Sequence, residues 1–96
     1  MIDERRLYQQ LGAQLRKVRD GTPGTAGRMT QSELARRVGL ERTSITNIEK
    51  GNQKVPLHVL YRICEVLGLS VEDVLPPRDA VCSSSRSFEG SGELTP

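Results

Sequence analysis

A chain of 96 residues is enough for one small domain, and domains of this size bury a modest share of their unfolded surface, so the core must be compact. With 35% apolar residues, 3% aromatic residues and no Trp, that core has to come from Leu, Val, Ile and Ala, which suits packed helices better than aromatic-rich strands. The formal charge of +2 and pI near 8.8 exclude nothing alone, but residues 28–54 carry six Lys or Arg against three Glu. No stretch approaches the ~18 apolar residues of a membrane span, and the charged N-terminus lacks the apolar core of a signal peptide. Two cysteines make no disulfide scaffold, which points to a reducing, cytoplasmic compartment.

Five helices are predicted. The first runs from about Glu4 to Arg19, where Leu7, Leu11, Leu15 and Val18 recur at helical spacing. Asp3 is its N-cap, and Arg16, Lys17 and Arg19 complement the negative end of its dipole. Gly21 to Arg28 holds three Gly, two Thr and a Pro and reads as a mobile loop. Thr30 and Glu33 then form a Thr-x-x-Glu capping box, with Met29 stapling onto Leu34, and Gly39 ends the second helix. A third helix occupies about Glu41 to Lys50 and stops at Gly51. Pro56 suits the first turn of a fourth, whose Leu57, Leu60, Ile63, Cys64 and Leu67 share one side before Gly68. Ser70 and Asp73 repeat the capping logic for a short fifth helix, with Leu69 stapling onto Val74. Beyond Pro77 the Ser- and Gly-rich composition buries too little surface to offset its ordering entropy, so residues 78–96 read as a disordered tail or linker. Within it Val81 and Phe88 are the groups able to dock on an apolar surface, and Cys82 reads as a free thiol.

The informative segment is TQSELARRVGLERTSITNIEKG, Thr30 to Gly51. Two short helices joined by a Gly-containing turn cross steeply only if their contact is small. Ala35 supplies the small contact, and Gly39 the left-handed turn residue, where a side chain would cost about 1–2 kcal/mol. Leu34, Ala35, Val38, Ile45 and Ile48 face inward, and with Leu15, Leu60, Ile63 and Leu67 they form the predicted core. Arg42, Thr43, Thr46, Asn47 and Lys50 then point outward. Arg can pair with guanine O6 and N7, Asn with adenine N6 and N7, and a Thr methyl can pack on thymine. Gln31 and the free amides at the start of the second helix suit a phosphate oxygen, as do Asn52, Gln53 and Lys54 in the loop after Gly51.

Gln31, Ala35, Gly39, Ile45 and Ile48, with the following IEKG and GLSVEDVL, resemble the Cro/repressor helix-turn-helix family of phage and bacterial regulators, also called the xenobiotic-response-element family. The resemblance covers about Leu7 to Leu75. It implies an all-α, five-helix, lambda-repressor-like DNA-binding domain over residues 1–77. It also implies that the position of Gln31 contacts phosphate and that those of Arg42, Thr43 and Asn47 face bases, with Thr46 and Lys50 also groove-facing. Glu49 stands where the family keeps an acidic residue for structural reasons, here as partner of a basic side chain or a backbone amide. Family dimers form through the fourth-to-fifth helix region, which places Leu57, Leu69, Val71, Val74 and Leu75 at a homodimer interface on a double-stranded, partly palindromic operator. A repressor in the bacterial or phage cytoplasm, at the nucleoid, is the expected role. Two departures stand out: the first interhelical loop is long and glycine-rich, and Glu41 is acidic where many members have Ser, Thr or Asn. Glu41 favours the helix dipole but repels phosphate, or selects a cytosine edge.

The remaining polar residues have plain readings. Arg36 and Arg37 are either phosphate contacts or a solvated face, Glu33 is mainly a cap, and His58 is a surface residue. No catalytic triad or carboxylate pair is spaced for a cleft, so no enzyme activity, cofactor or metal is expected. Two other readings fit the same helices: an antitoxin- or coactivator-like module whose main contact is a partner protein, or the DNA-reading half of a longer sensor; separately, the C-terminal tail can hold a protein partner.

Overall fold

The structure is a computed structural model describing residues 1–82. Among these, six helices surround one core: α1 (Glu4–Asp20), α2 (Gln31–Val38), α3 (Arg42–Lys50), α4 (Leu57–Leu67), α5 (Val71–Val74) and α6 (Arg78–Val81). The five expected helices lie where capping and spacing put them. Asp3 Oδ1 accepts from the Arg6 amide at 3.1 Å, and Thr30 Oγ1 accepts from the Glu33 amide at 3.1 Å. Ser70 and Asp73 close the expected box, with Asp73 Oδ2 accepting from the Ser70 amide at 3.1 Å.

All nine predicted core residues are buried, joined by Leu11, Met29, Val59, Cys64 and Val74. Burial pushes the Cys64 thiol up, with a smaller contribution from Asp73, so Cys64 is a protonated core side chain. α1 packs on α3, α5 and α6, and α2 packs on α3 and α4. Gly12 permits the α1–α3 approach: a Cβ there would run into the Ile48 and Glu49 carbonyl oxygens of α3.

Four expectations need correction. The Gly21–Arg28 segment is a hairpin, with β1 (Pro23–Gly24) antiparallel to β2 (Gly27–Arg28) and the Met29 amide donating to the Thr22 carbonyl at 2.8 Å. Glu33 holds that hairpin instead of completing a capping box. Its carboxylate accepts from the Thr25 amide at 3.0 Å and hydroxyl at 2.7 Å, and pairs with Arg37 at 2.7 Å. Leu57, expected on the inner side of α4, is 67% exposed, while Val59 is buried there. The ordered chain also continues past the expected boundary at Pro77. Val81 is buried as part of α6, its carbonyl accepts from the Asp3 amide at 2.7 Å, and Ile2 bridges to Cys82. Docking one apolar side chain and pairing with the N-terminus offset an ordering cost that composition alone could not weigh. The rest of the expected tail, Phe88 and its proposed protein contact included, lies outside the described residues.

Candidate nucleic-acid interface

α2 and α3 are joined by Gly39, Leu40 and Glu41. Gly39 adopts φ +78°, and the Leu40 amide reaches back to the Ala35 carbonyl at 2.9 Å. That left-handed residue ends α2 abruptly and turns the chain into α3. Ile45, Ile48 and Glu49 anchor the inner face of α3. Arg42, Thr43, Asn47 and Lys50 are exposed on the other face and Thr46 is half-buried among them, as the i, i+4 repeat of a helix requires. The five residues predicted to face a groove therefore do lie together. Glu41 is the N-cap of α3 without a capping side-chain bond, so its carboxylate stays on the surface at the leading end of this helix.

Beneath this face runs a chain of hydrogen bonds. Arg19 of α1 grips Glu49 in a two-pronged pair, Nε to Oε2 at 2.6 Å and Nη2 to Oε1 at 3.0 Å, and its Nη1 donates to the Met29 carbonyl at 3.0 Å. Both side chains are almost fully buried, at 9% and 3% exposure. The Glu49 carboxylate holds Arg19 firmly charged against the opposing effect of burial. Gln31 extends the chain: its Nε2 donates to Glu49 Oε1 at 2.9 Å, and its Oε1 accepts from the Thr46 hydroxyl at 2.9 Å. One buried ion pair thus ties α1, the hairpin exit, α2 and α3 together. Glu49 is the structural partner of a basic side chain, as expected. Gln31 gives one Nε2 hydrogen to Glu49 and its oxygen to Thr46, which leaves the second side-chain hydrogen and the backbone amide at the start of α2 able to face an anion.

That helix start opens into a cleft of about 500 Å³ lined by Arg28, Thr30, Ser32 and Arg42, with Arg19, Asp20 and Gln31 also on its wall and Asp20 paired to Arg19 at 3.5 Å. Arg28 was not singled out from sequence, because only the hairpin carries it to the α2 N-terminus. On the far side of α3, Asn52 is exposed and Gln53 half-buried, and the two line a shallow groove with Arg5 and Tyr8. Lys54 Nζ pairs with Glu4 at 2.7 Å, both side chains being mostly exposed, and that bond raises the ammonium's pKa. His58, Arg36 and Arg37 are surface residues.

Of the predicted interface residues, Val74 is corrected: it is 1% exposed and belongs to the monomer core. Leu57 and Leu75 are exposed, while Leu69 and Val71 are half-buried against that core. Tyr61, 58% exposed beside this patch, is an additional large apolar group that helical spacing left unassigned.

Two short helices crossing through a tight glycine turn, the second with a polar outer face, define a helix-turn-helix domain of the kind carried by transcriptional regulators. The sequence pattern of the helix-turn-helix domain family matches residues 10–76, and the chain belongs to that family. Two uncharacterized HTH-type transcriptional regulators of Archaeoglobus fulgidus are 44% and 41% identical over 46 residues, 48% of this chain. The chain spans 65% and 66% of the length of these curated relatives. Among solved structures, the fold is similar to that of the clp gene regulator ClgR from Corynebacterium glutamicum, with TM-score 0.64 and 32% identity over 71% of this chain and 67% of that one. It is also similar to the restriction-modification controller protein C.AhdI from Aeromonas hydrophila, with TM-score 0.61 and 25% identity over 71% of this chain and 96% of that one. Among the described residues no helix is long and apolar enough to cross a membrane.

Proposed function

We propose that this chain is a sequence-specific, double-stranded DNA-binding transcriptional regulator that acts in the cytoplasm as a repressor, with α3 in the major groove. The observation that carries the reading is the two-sided build of α3. Its inner face is fixed by Ile45, Ile48 and Glu49, so Arg42, Thr43 and Asn47 are exposed in a defined arrangement. Groups held this way lose little freedom on binding, and their donors and acceptors match base edges. Arg42 and Asn47 suit guanine and adenine, Thr43 contributes at the groove-entering end, and Lys50 lies at the far end beside the backbone. The α2 N-terminus with Arg28, together with Asn52, Gln53 and Lys54, holds phosphates on either side of the groove. Lys54 exchanges Glu4 for a phosphate when it does so.

The working unit is a homodimer joined through Leu57, Tyr61, Leu69, Val71 and Leu75, reading a partly palindromic operator. The HTH-type regulators among its relatives and the gene regulator among its structural neighbours support the regulator part of this reading. Selection from a random duplex library tests it. The expected outcome is a recovered motif with two related half-sites, bound with an affinity that falls steeply as salt rises. Recovery of no motif, with no salt-dependent binding to any duplex, would refute it.

A further inference from the structure

The hydrogen-bond chain under α3 also restricts what one groove-side residue can offer a base. Glu49, engaged by a guanidinium, only accepts, so the Gln31 amide must turn its NH₂ toward it and its oxygen toward Thr46. The Thr46 hydroxyl meets two acceptors, Gln31 Oε1 at 2.9 Å and the Arg42 carbonyl one turn earlier at 3.1 Å. Its single hydrogen is committed to that pair, so Thr46 has none for guanine O6 or N7, adenine N7 or thymine O4. Half-buried among the exposed Thr43, Asn47 and Lys50, Thr46 is left with its γ-methyl to pack on a base and with hydroxyl lone pairs that can only accept.

We infer that Thr46 is a specificity residue that reads the 5-methyl group of a thymine through its own methyl, with Arg19, Glu49 and Gln31 as positioning residues that keep its hydroxyl turned inward. The inference rests on the DNA-reading function proposed above. It assigns Thr46 a role that its residue type leaves open, since a free threonine hydroxyl can both donate and accept.

The test uses the full chain and the duplex recovered by selection. Each thymine is replaced in turn by uracil, which removes only the 5-methyl group. Binding is measured for the parent protein, Thr46→Ser and Thr46→Val. For the parent, one uracil position per half-site should weaken binding about three- to five-fold, the size expected for one buried methyl. Thr46→Ser keeps the hydroxyl and its inner bonds but lacks the methyl, and it should become indifferent to that substitution. Thr46→Val keeps a methyl without the hydroxyl and should stay sensitive to it. If Thr46→Val proves unfolded by circular dichroism, the serine variant and the uracil series decide alone. Equal uracil sensitivity in parent and Thr46→Ser, or no sensitive thymine at all, would overturn the inference while leaving DNA reading intact. A parent protein that binds no duplex refutes the function itself.

Discussion

Replacing Glu49 by Ala would leave Arg19 charged, buried and without its two-pronged partner. Truncating one member of a buried ion pair costs about 3–5 kcal/mol, because the remaining charge stays desolvated. Glu49→Ala should lower stability by about that amount in a urea titration, and a change below about 1 kcal/mol would show that water replaces the carboxylate. The partnership was half legible in the sequence. Glu49 could be marked as a structural acid, but Arg19 read as a residue that favours a helix C-terminus, because its partner lies thirty positions away. The internal bonds of Gln31 are hidden for a similar reason. A helix-start position suggests an anion, and nothing local reveals that Glu49 and Thr46 occupy both ends of the amide.

At the scale of elements, caps and stops carried most of the information, since each acts within one turn of chain. Asp3, Thr30, Ser70 and Gly39 set their helix ends as read. What local pattern missed were contacts between elements. Gly12 looks like a weak point inside α1, yet it sits where the α3 backbone leaves no room for a Cβ. Gly12→Ala should therefore destabilise the domain by about 1–3 kcal/mol despite better helix propensity, as overpacking does. A rise in melting temperature would contradict that contact. The hairpin is a second case: composition marks Gly21–Arg28 as a loop, and Glu33, eight residues beyond Thr25, adds a long-range clamp to its backbone pairing. The Thr25 hydroxyl, then its amide, and Arg37 hold the Glu33 carboxyl below its ordinary range. A lowered folded-state pKa means that the ionised form supports the hairpin at neutral pH, and that support fades as pH falls through the lowered value. Exchange of the Thr25 amide, followed by NMR, should thus show protection near neutrality that is lost in acid below the usual glutamate range. Protection unchanged down to that acidity would remove Glu33 as the clamp.

For the whole molecule, the monomer core absorbs Val74 and α6 but leaves Leu57, Tyr61 and Leu75 in solvent. Tyr61 lines a groove with Leu69 and Val71 between α4 and α5, an apolar surface that a second copy can cover. Sedimentation at tens of micromolar should give a dimer, and Tyr61→Glu should shift it toward monomer while preserving helicity. Monomer alone, free and on the selected duplex, would contradict that arrangement. With dimers, half-site centres about 10 bp apart follow from one turn of the duplex.

The central claim is that the exposed face of α3 reads bases while its flanks hold phosphates, and one set of titrations addresses it. Arg42→Ala, Asn47→Ala and Lys54→Ala are each measured against the selected duplex and a scrambled one at several salt concentrations. Arg42→Ala and Asn47→Ala should each lose about 1–3 kcal/mol on the selected duplex, with little change on the scrambled one, and relax selectivity at one base pair. Lys54→Ala should weaken both duplexes alike and reduce the salt slope by about one unit. Equal losses on both duplexes for Arg42→Ala and Asn47→Ala would contradict the assignment of base reading to this face.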